Sequence, residues 1–290
     1  MRVALNHWTQ YTYDRRVFLS PQLIRLRPAA HSRLTLESYT LTVQPENHAI
    51  HWQQDAFGNF VARIDFADAL QKMTIQVHLI AQFQPVNPFD FLLDPEALGF
   101  PFAYDAQLTK DLAAYLELTE PGPLLTQWLR QVNRSGRGTV DFLIDLNQQL
   151  YQDIAYSERL APGVQSAEET LQRAVGSCRD SAWLLVQLLR HLGLAARFVS
   201  GYLVQLADDQ SLSQMPSTSP VDSLALHAWA EVFIPGAGWI GLDPTSGMLA
   251  TESHIPLACS TQPSGAAPVS GTSGLSETSL TYKGSLVRLS

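Results

Sequence analysis

Ala174-Val175-Gly176-Ser177-Cys178-Arg179-Asp180-Ser181-Ala182-Trp183-Leu184-Leu185 carries a cysteine through a turn of small residues to the head of an apolar run. Residues 183–192 are almost wholly helix formers with an apolar stripe, so the pattern predicts a buried helix beginning just after Cys178. The unpaired N–H groups and macrodipole of a helix start favour a thiolate, the nucleophilic form of cysteine. Taken alone, the stretch fits a small buried hydrophobe as well as a nucleophile, so the decision rests on partners elsewhere in the chain.

Leu226-His227-Ala228-Trp229-Ala230-Glu231-Val232-Phe233-Ile234 and Trp239-Ile240-Gly241-Leu242-Asp243-Pro244-Thr245 are rich in aromatic and β-branched residues. Between them, Pro235-Gly236-Ala237-Gly238 reads as a hairpin connection. His227 and Asp243 are then on antiparallel neighbours, 16 residues apart. An even separation lets residues symmetric about Pro235 stand opposite one another, with both side chains on one face. A thiol at a helix start, a histidine to take its proton and an acid to orient that histidine are the parts of an acyl-transfer site. Cysteine, histidine and aspartate are also zinc ligands, but neither Cys-x-x-Cys nor His-Glu-x-x-His spacing occurs. With no phosphate-cradling glycine loop either, an enzyme without cofactor or metal is expected.

Four motifs in order carry a family likeness: Gly176-Ser177-Cys178-Arg179-Asp180, Leu192-Gly193-Leu194-Ala195-Ala196-Arg197-Phe198-Val199-Ser200-Gly201-Tyr202, His227-Ala228-Trp229-Ala230-Glu231-Val232, and Gly238-Trp239-Ile240-Gly241-Leu242-Asp243-Pro244-Thr245. The chain resembles the bacterial transglutaminase-like superfamily, the papain-like group that includes transglutaminases, microbial cysteine proteases and peptide amidases. The resemblance implies Cys178 as nucleophile, His227 as general base and acid, and Asp243 as orienting carboxylate. It is nearest to the branch with a β-rich domain before the core. His254, in Ser253-His254-Ile255-Pro256, matches a His-Ile position of that family and is expected to border the cleft without reacting. The Gly-Arg-Asp segment usual after that pair is replaced here by Cys259-Ser260-Thr261-Gln262-Pro263, which resembles a branch where this unit begins a longer bacterial protein. A C-terminal continuation is therefore part of the reading.

At 290 residues, 46% hydrophobic and 16% charged, the chain has room for one large or two medium globular domains. A net charge of −8 argues against a nucleic-acid partner. The first 16 residues lack the apolar run of a secretory signal, and no segment reaches transmembrane length, so no membrane partner is expected. Cys178 and Cys259 are then expected as free thiols in a reducing cytoplasm.

Strand-like alternation covers residues 7–13, 22–27, 35–43, 51–55, 60–66 and 73–83. Asp55-Ala56-Phe57-Gly58-Asn59 reads as a structural turn, Gly58 supplying positive φ and Asn59 a side-chain bond. Tyr11-Thr12-Tyr13 and this turn also match the β domain of the resembled branch. The aromatics of 84–102 are expected to pin a proline-punctuated linker to both domains. Helical patterns follow at 109–117, 124–132, 139–151 and 166–174, with a short extended piece at 154–156. Residues 196–206 read as a strand beside the one carrying His227, 207–223 as a loop and candidate substrate flap, and 280–289 as a strand returning to the first domain. The expected fold is α+β: an antiparallel β-sandwich-like domain over 1–85, a linker over 86–104, a papain-like/transglutaminase-like core over 105–260 with a helix-borne cysteine on an antiparallel sheet, and a C-terminal extension over 261–290.

Asp180 is expected to be a helix-start charge that opposes thiolate formation, with Arg179 either offsetting it or pairing elsewhere. Glu231 shares a strand face with His227 and is a candidate for the cleft; His191 is expected at a helix end. An oxyanion hole needs two donors: the N–H of Cys178 is one, and Tyr156, Gln149 and Gln152 are candidates for the second. The expected function is a cysteine-dependent amide hydrolase acting through a thioester on a peptide or small amide. The alternatives are a protein-glutamine acyltransferase and a non-catalytic binding or maturation module.

Overall fold

The computed structural model describes residues 1–134, 136–159, 161–207 and 221–289. Alternation draws the first part into strands β1 (Arg2–Val17), β2 (Gln22–Ile24), β3 (Thr35–Gln44), β4 (His48–Gln54), β5 (Phe60–Phe66) and β6 (Leu70–Gln82). Strand β1 outgrows its predicted extent because it is paired on both sides, by β6 and by a strand from the far end of the chain. Strand β4 stops before the Asp55–Asn59 turn, earlier than its pattern suggested.

After the linker come β7 (Gly99–Phe100), α1 (Ala106–Asp111), α2 (Ala113–Leu116), α3 (Pro123–Gln131), β8 (Arg137–Gly138), α4 (Thr139–Asp153), β9 (Ala155–Tyr156), α5 (Ala167–Arg173), β10 (Val175–Gly176) and α6 (Cys178–His191). The remainder is β11 (Ala196–Gln205), β12 (Ser223–Ile234), β13 (Gly238–Asp243), β14 (Met248–Leu249), β15 (His254–Ser260), β16 (Val269–Ser270) and β17 (Thr278–Leu289). The predicted helix at 109–117 starts earlier and breaks at Leu112; Asp105 caps its start by accepting from the N–H groups of Gln107 and Leu108.

Two four-stranded sheets, β17-β1-β6-β3 and β16-β2-β5-β4, share one apolar core, while β14-β13-β12-β11-β15 form a separate antiparallel sheet. The expected return of the C-terminal strand is present: β17 pairs along β1 from Arg2↔Leu289 to Tyr13↔Thr278. Helix α6 packs against β12 and β11 and also meets α4 and α5, so Ala182, Leu184, Leu185, Val186, Leu188 and Leu189 are all fully buried. The buried helix expected from the sequence is present: every residue from Asp180 to Arg190 is buried, while Cys178, Arg179 and His191 at its ends are partly exposed.

The two halves are sewn together. Tyr202, Val204, Leu224, Ile255 and Leu257 of the second sheet join the sandwich core. The Asp55–Asn59 turn closes on itself through Asp55 Oδ1, which accepts from the N–H groups of Phe57 and Asn59 at 3.0 Å each, with Gly58 at φ +78°. Its Asn59 then grips β15 as a strand would, Nδ2 donating to the Cys259 carbonyl at 2.8 Å and Oδ1 accepting the Cys259 N–H at 2.9 Å. Linker aromatics Phe91, Phe100 and Phe102 pack on the core of α4 and α6 and not on the sandwich, so the expected pinning is to one side. Phe100 stacks on Phe142 at 3.7 Å.

His7 is buried within β1, its Nε2 2.7 Å from Thr9 Oγ1. Burial pushes its pKa down to about 4 from 6.5. A histidine held neutral contributes stability that is complete above pH 6.5 and lost as the pH falls toward 4, about 3 kcal/mol in all. His7→Phe should therefore lose less stability than the wild type between pH 7 and pH 4.5, read from urea midpoints. Equal losses in both proteins would sink this account.

Candidate active site

Cys178 is the first residue of α6, and Ser177 in extended conformation precedes it. As the first helical residue its N–H has no partner within the helix. The turn that presents it is fixed by Asp180, whose Oδ2 accepts from the Ser177 N–H at 2.8 Å and the Ser177 hydroxyl at 2.7 Å. Gly176 is required there: a Cβ would come within 2.9 Å of the Asp180 Cβ.

The charge that offsets Asp180 comes from Arg159 and not from Arg179. The Asp180 carboxylate is fully buried, bound by Arg159 Nη2 at 2.6 Å and Nε at 3.1 Å, and accepts the Gln165 N–H at 2.8 Å. Burial alone would raise Asp180, but Arg159 and the donors of Gln165 and Ser177 outweigh it and hold the carboxyl below its usual range. Arg179 turns away, donating to the carbonyls of Arg159 at 2.7 Å and Ala161 at 3.0 Å. The pair thus ties Arg159, Ala161 and Gln165 to the start of α6.

His227 and Asp243 arrive on β12 and β13, which pair from Ile234↔Gly238 to Ala230↔Leu242. The hairpin is symmetric about Gly236, in the left-handed region at φ +87°, and not about Pro235. Asp243 is therefore diagonal to His227 instead of directly opposite. Both side chains still share a face, and His227 Nε2 lies 3.0 Å from Asp243 Oδ2. The Cys178 side chain is among the groups that raise the pKa of the same imidazole; with Nε2 turned to Asp243, Nδ1 is the nitrogen left for the thiol.

Burial by itself would lower the His227 pKa, yet the Asp243 carboxylate and then the Cys178 side chain raise it to about 10. Asp243 is fully enclosed, and burial would raise it; the two histidines overcome that and hold it well below the usual carboxylate range. Its second oxygen, Oδ1, accepts from Thr245 N–H at 2.9 Å and Thr245 Oγ1 at 2.7 Å.

The second histidine is His254 from β15, whose Nε2 is 3.2 Å from Asp243 Oδ2. Its sequence position predicted a residue bordering the cleft; the structure puts it behind Asp243 with 1% of its side chain exposed. His227, Asp243 and His254 each bring one potential ligand atom within 4.8 Å of the others, a metal-type donor set that no local spacing announces. The hydrogen-bond directions give each of these atoms a proton partner: two imidazole N–H groups converge on one carboxylate oxygen.

Glu231 does not line the cleft. It is buried against Arg197, which donates to it at 2.7 Å and lies 4.2 Å above the Trp239 ring. His191 is in the last turn of α6, near the Glu120 carbonyl at 3.3 Å. Tyr156 pairs in parallel with Gly176 and is 60% exposed beside the thiol; burial first, then the charges of Cys178, Glu158 and Asp243, raise its phenol, which stays a donor. Gln149 and Gln152 have no hydrogen bond to Cys178 among the described residues. The candidate flap at 207–223 falls almost wholly on residues 208–220, outside the described residues. Cys178 and Cys259 are both free thiols. Among the described residues, no helix is long and apolar enough to cross a membrane.

Residues 3–82 match the family described as bacterial transglutaminase-like N-terminal region, and residues 126–244 match the transglutaminase-like superfamily. An uncharacterized protein of Mycobacterium tuberculosis is 29% identical over 266 residues, covering 88% of this chain and 82% of that protein. One from Mycobacterium leprae is 23% identical over 289 residues, covering 93% and 92%. A crystal structure from Cytophaga hutchinsonii, described as a "putative cysteine protease", superposes with a TM-score of 0.68 at 17% identity over 100% of this chain and 92% of that one, which shows a shared fold.

Proposed function

We propose that this chain, which belongs to the transglutaminase-like superfamily and carries its bacterial N-terminal region, is a cysteine-dependent amide hydrolase working through a thioester. The observation that carries the reading is His227 Nε2 at 3.0 Å from the buried Asp243 carboxylate, supported by a His227 pKa that Asp243 first and then Cys178 raise to about 10. A proton so held belongs to an imidazolium, whose natural partner is a thiolate.

In the proposed reaction the Cys178 sulfur forms a bond to the amide carbonyl carbon, and the oxygen takes the negative charge. The N–H of Cys178, which has no partner within the helix, is the first donor proposed for that charge, and the Tyr156 hydroxyl is the candidate second donor. His227 then delivers its proton to the nitrogen, the C–N bond breaks and the amine leaves. Neutral His227 next takes a proton from water, the resulting hydroxide attacks the thioester, and the acid departs as the sulfur recovers its electrons. Asp243 orients the ring and stabilises its charged form throughout.

Transfer of the acyl group to an amine uses the same first half, and only the second nucleophile differs. The substrate proposed is a peptide or small amide, in the cytoplasm and without cofactor, nucleic acid or membrane. Incubation with a glutamine-containing peptide, with and without an added primary amine, separates the outcomes by mass: deamidation or cleavage in both cases supports hydrolysis, and an amine adduct supports transfer. Failure of an electrophilic peptide to form a covalent adduct at Cys178 would sink both enzymatic readings in favour of a binding or maturation module.

A further inference from the structure

Asp243 receives four donors, two at each oxygen. Thr245 supplies both on Oδ1, and His227 accounts for one on Oδ2. The fourth, His254, is unexplained by the reaction above.

The proton on His254 can be placed from its neighbours. Its Nδ1 accepts the Thr251 N–H at 3.3 Å and lies 3.2 Å from Ser253 Oγ. A backbone N–H can only donate, so Nδ1 carries the lone pair and the ring proton is on Nε2, aimed at Asp243. The ring is held edge-on to Trp229, centroids 5.2 Å apart at 83°. Its strand is gripped at Cys259 by Asn59 of the first domain. A side chain so enclosed does not reach substrate, and among the described residues its hydrogen bond toward the site is the one to the carboxylate.

We infer that His254 is a positioning residue: its Nε2–H fixes Asp243 Oδ2 in line with His227 Nε2, so that the carboxylate cannot rotate away from the ring it orients. Two donors on one oxygen and two on the other fix the carboxylate plane; with one removed, a rotation that breaks the His227 bond costs less. Outer partners of metal-ligating histidines typically change affinity or activity by 10- to 100-fold, and an effect of that order is expected for an outer partner of this carboxylate. The inference rests on the triad reading and extends it to a second histidine.

The test uses alkylation of Cys178 by iodoacetamide at pH 6, together with kcat and KM on whichever peptide proves a substrate. His254→Leu removes the donor, His254→Gln returns an amide N–H near the Nε2 position, and His254→Asn keeps polarity but falls short of Asp243. We expect about 10-fold slower alkylation and a loss confined to kcat in the Leu and Asn variants, and recovery to within about threefold in the Gln variant. In an Asp243→Asn background, His254→Leu should add less than about twofold, since its effect runs through that carboxylate. Wild-type rates in folded His254→Leu or His254→Asn, no rescue by Gln, or full additivity would overturn the inference. If the Leu variant does not fold, the Asn and Gln pair still compares a missing donor with a restored one. A wild type no faster at pH 6 than His227→Ala would overturn the triad reading and this inference together.

Discussion

His227→Ala is expected to slow alkylation of Cys178 at pH 6 roughly 100-fold, because the ordinary cysteine thiol is only a fraction of a percent ionised there. In the wild type the imidazole is bonded to Asp243, and Asp243 and Cys178 raise its pKa to about 10, so on the proposed triad the sulfur has a positive partner across the neutral range. A plateau of reactivity below pH 7 should follow, lost in the variant. Cys259 serves as an internal control: it is buried, and burial pushes its thiol up to about 11, so it should stay silent in both proteins. The same shift has a stability consequence of definite sign. A raised histidine contributes stability that is complete below pH 6.5 and lost as the pH rises through about 10, so His227→Ala should flatten the alkaline side of the stability curve. Identical alkylation profiles with and without His227 would mean that no ion pair forms.

Asp243→Asn should lower kcat by about 10⁴-fold while the protein still folds, an effect of the size seen when an orienting carboxylate is replaced by its amide. The reason is donor count. Thr245 N–H and Oγ1, His227 Nε2 and His254 Nε2 all need acceptors at this residue, and an amide offers one oxygen where the carboxylate offers two. The NH₂ group must face either Thr245 or the two histidines. Facing the histidines, it forces His227 into the tautomer with its proton on Nδ1, which cannot then accept from the thiol. Leaving donors buried and unpaired also costs stability, on the order of 1–3 kcal/mol. Steady-state kinetics and thermal melts check both parts; a kcat within tenfold of wild type would remove Asp243 from the proposed mechanism.

Much of the site is legible in local patterns. The small-residue turn before an apolar run places Cys178 at a helix start, since helix periodicity and its boundary are written in adjacent residues. The Gly-rich break between two β-branched runs gives the hairpin, and the even spacing of His227 and Asp243 puts them on one face. The centre of that hairpin is Gly236 and not Pro235, because loop type is decided by Gly236 adopting positive φ. Glu231 satisfies the same parity rule as His227 and is still no part of the site: parity assigns a face, and Arg197 on the neighbouring strand claims the charge.

The chain's own order of residues thus determined a nucleophile at a helix head, a histidine and an aspartate on one strand face, and a β domain ahead of them, because each depends on a period of two or 3.6 residues. Tertiary structure alone decided that Arg159 neutralises Asp180, that Asn59 seizes Cys259 across 200 residues, and that His254 meets His227 on a single oxygen of Asp243. Those contacts depend on which elements become neighbours, and a buried polar group takes whichever partner the packing brings within reach, since leaving it unpaired costs more than any local preference can repay.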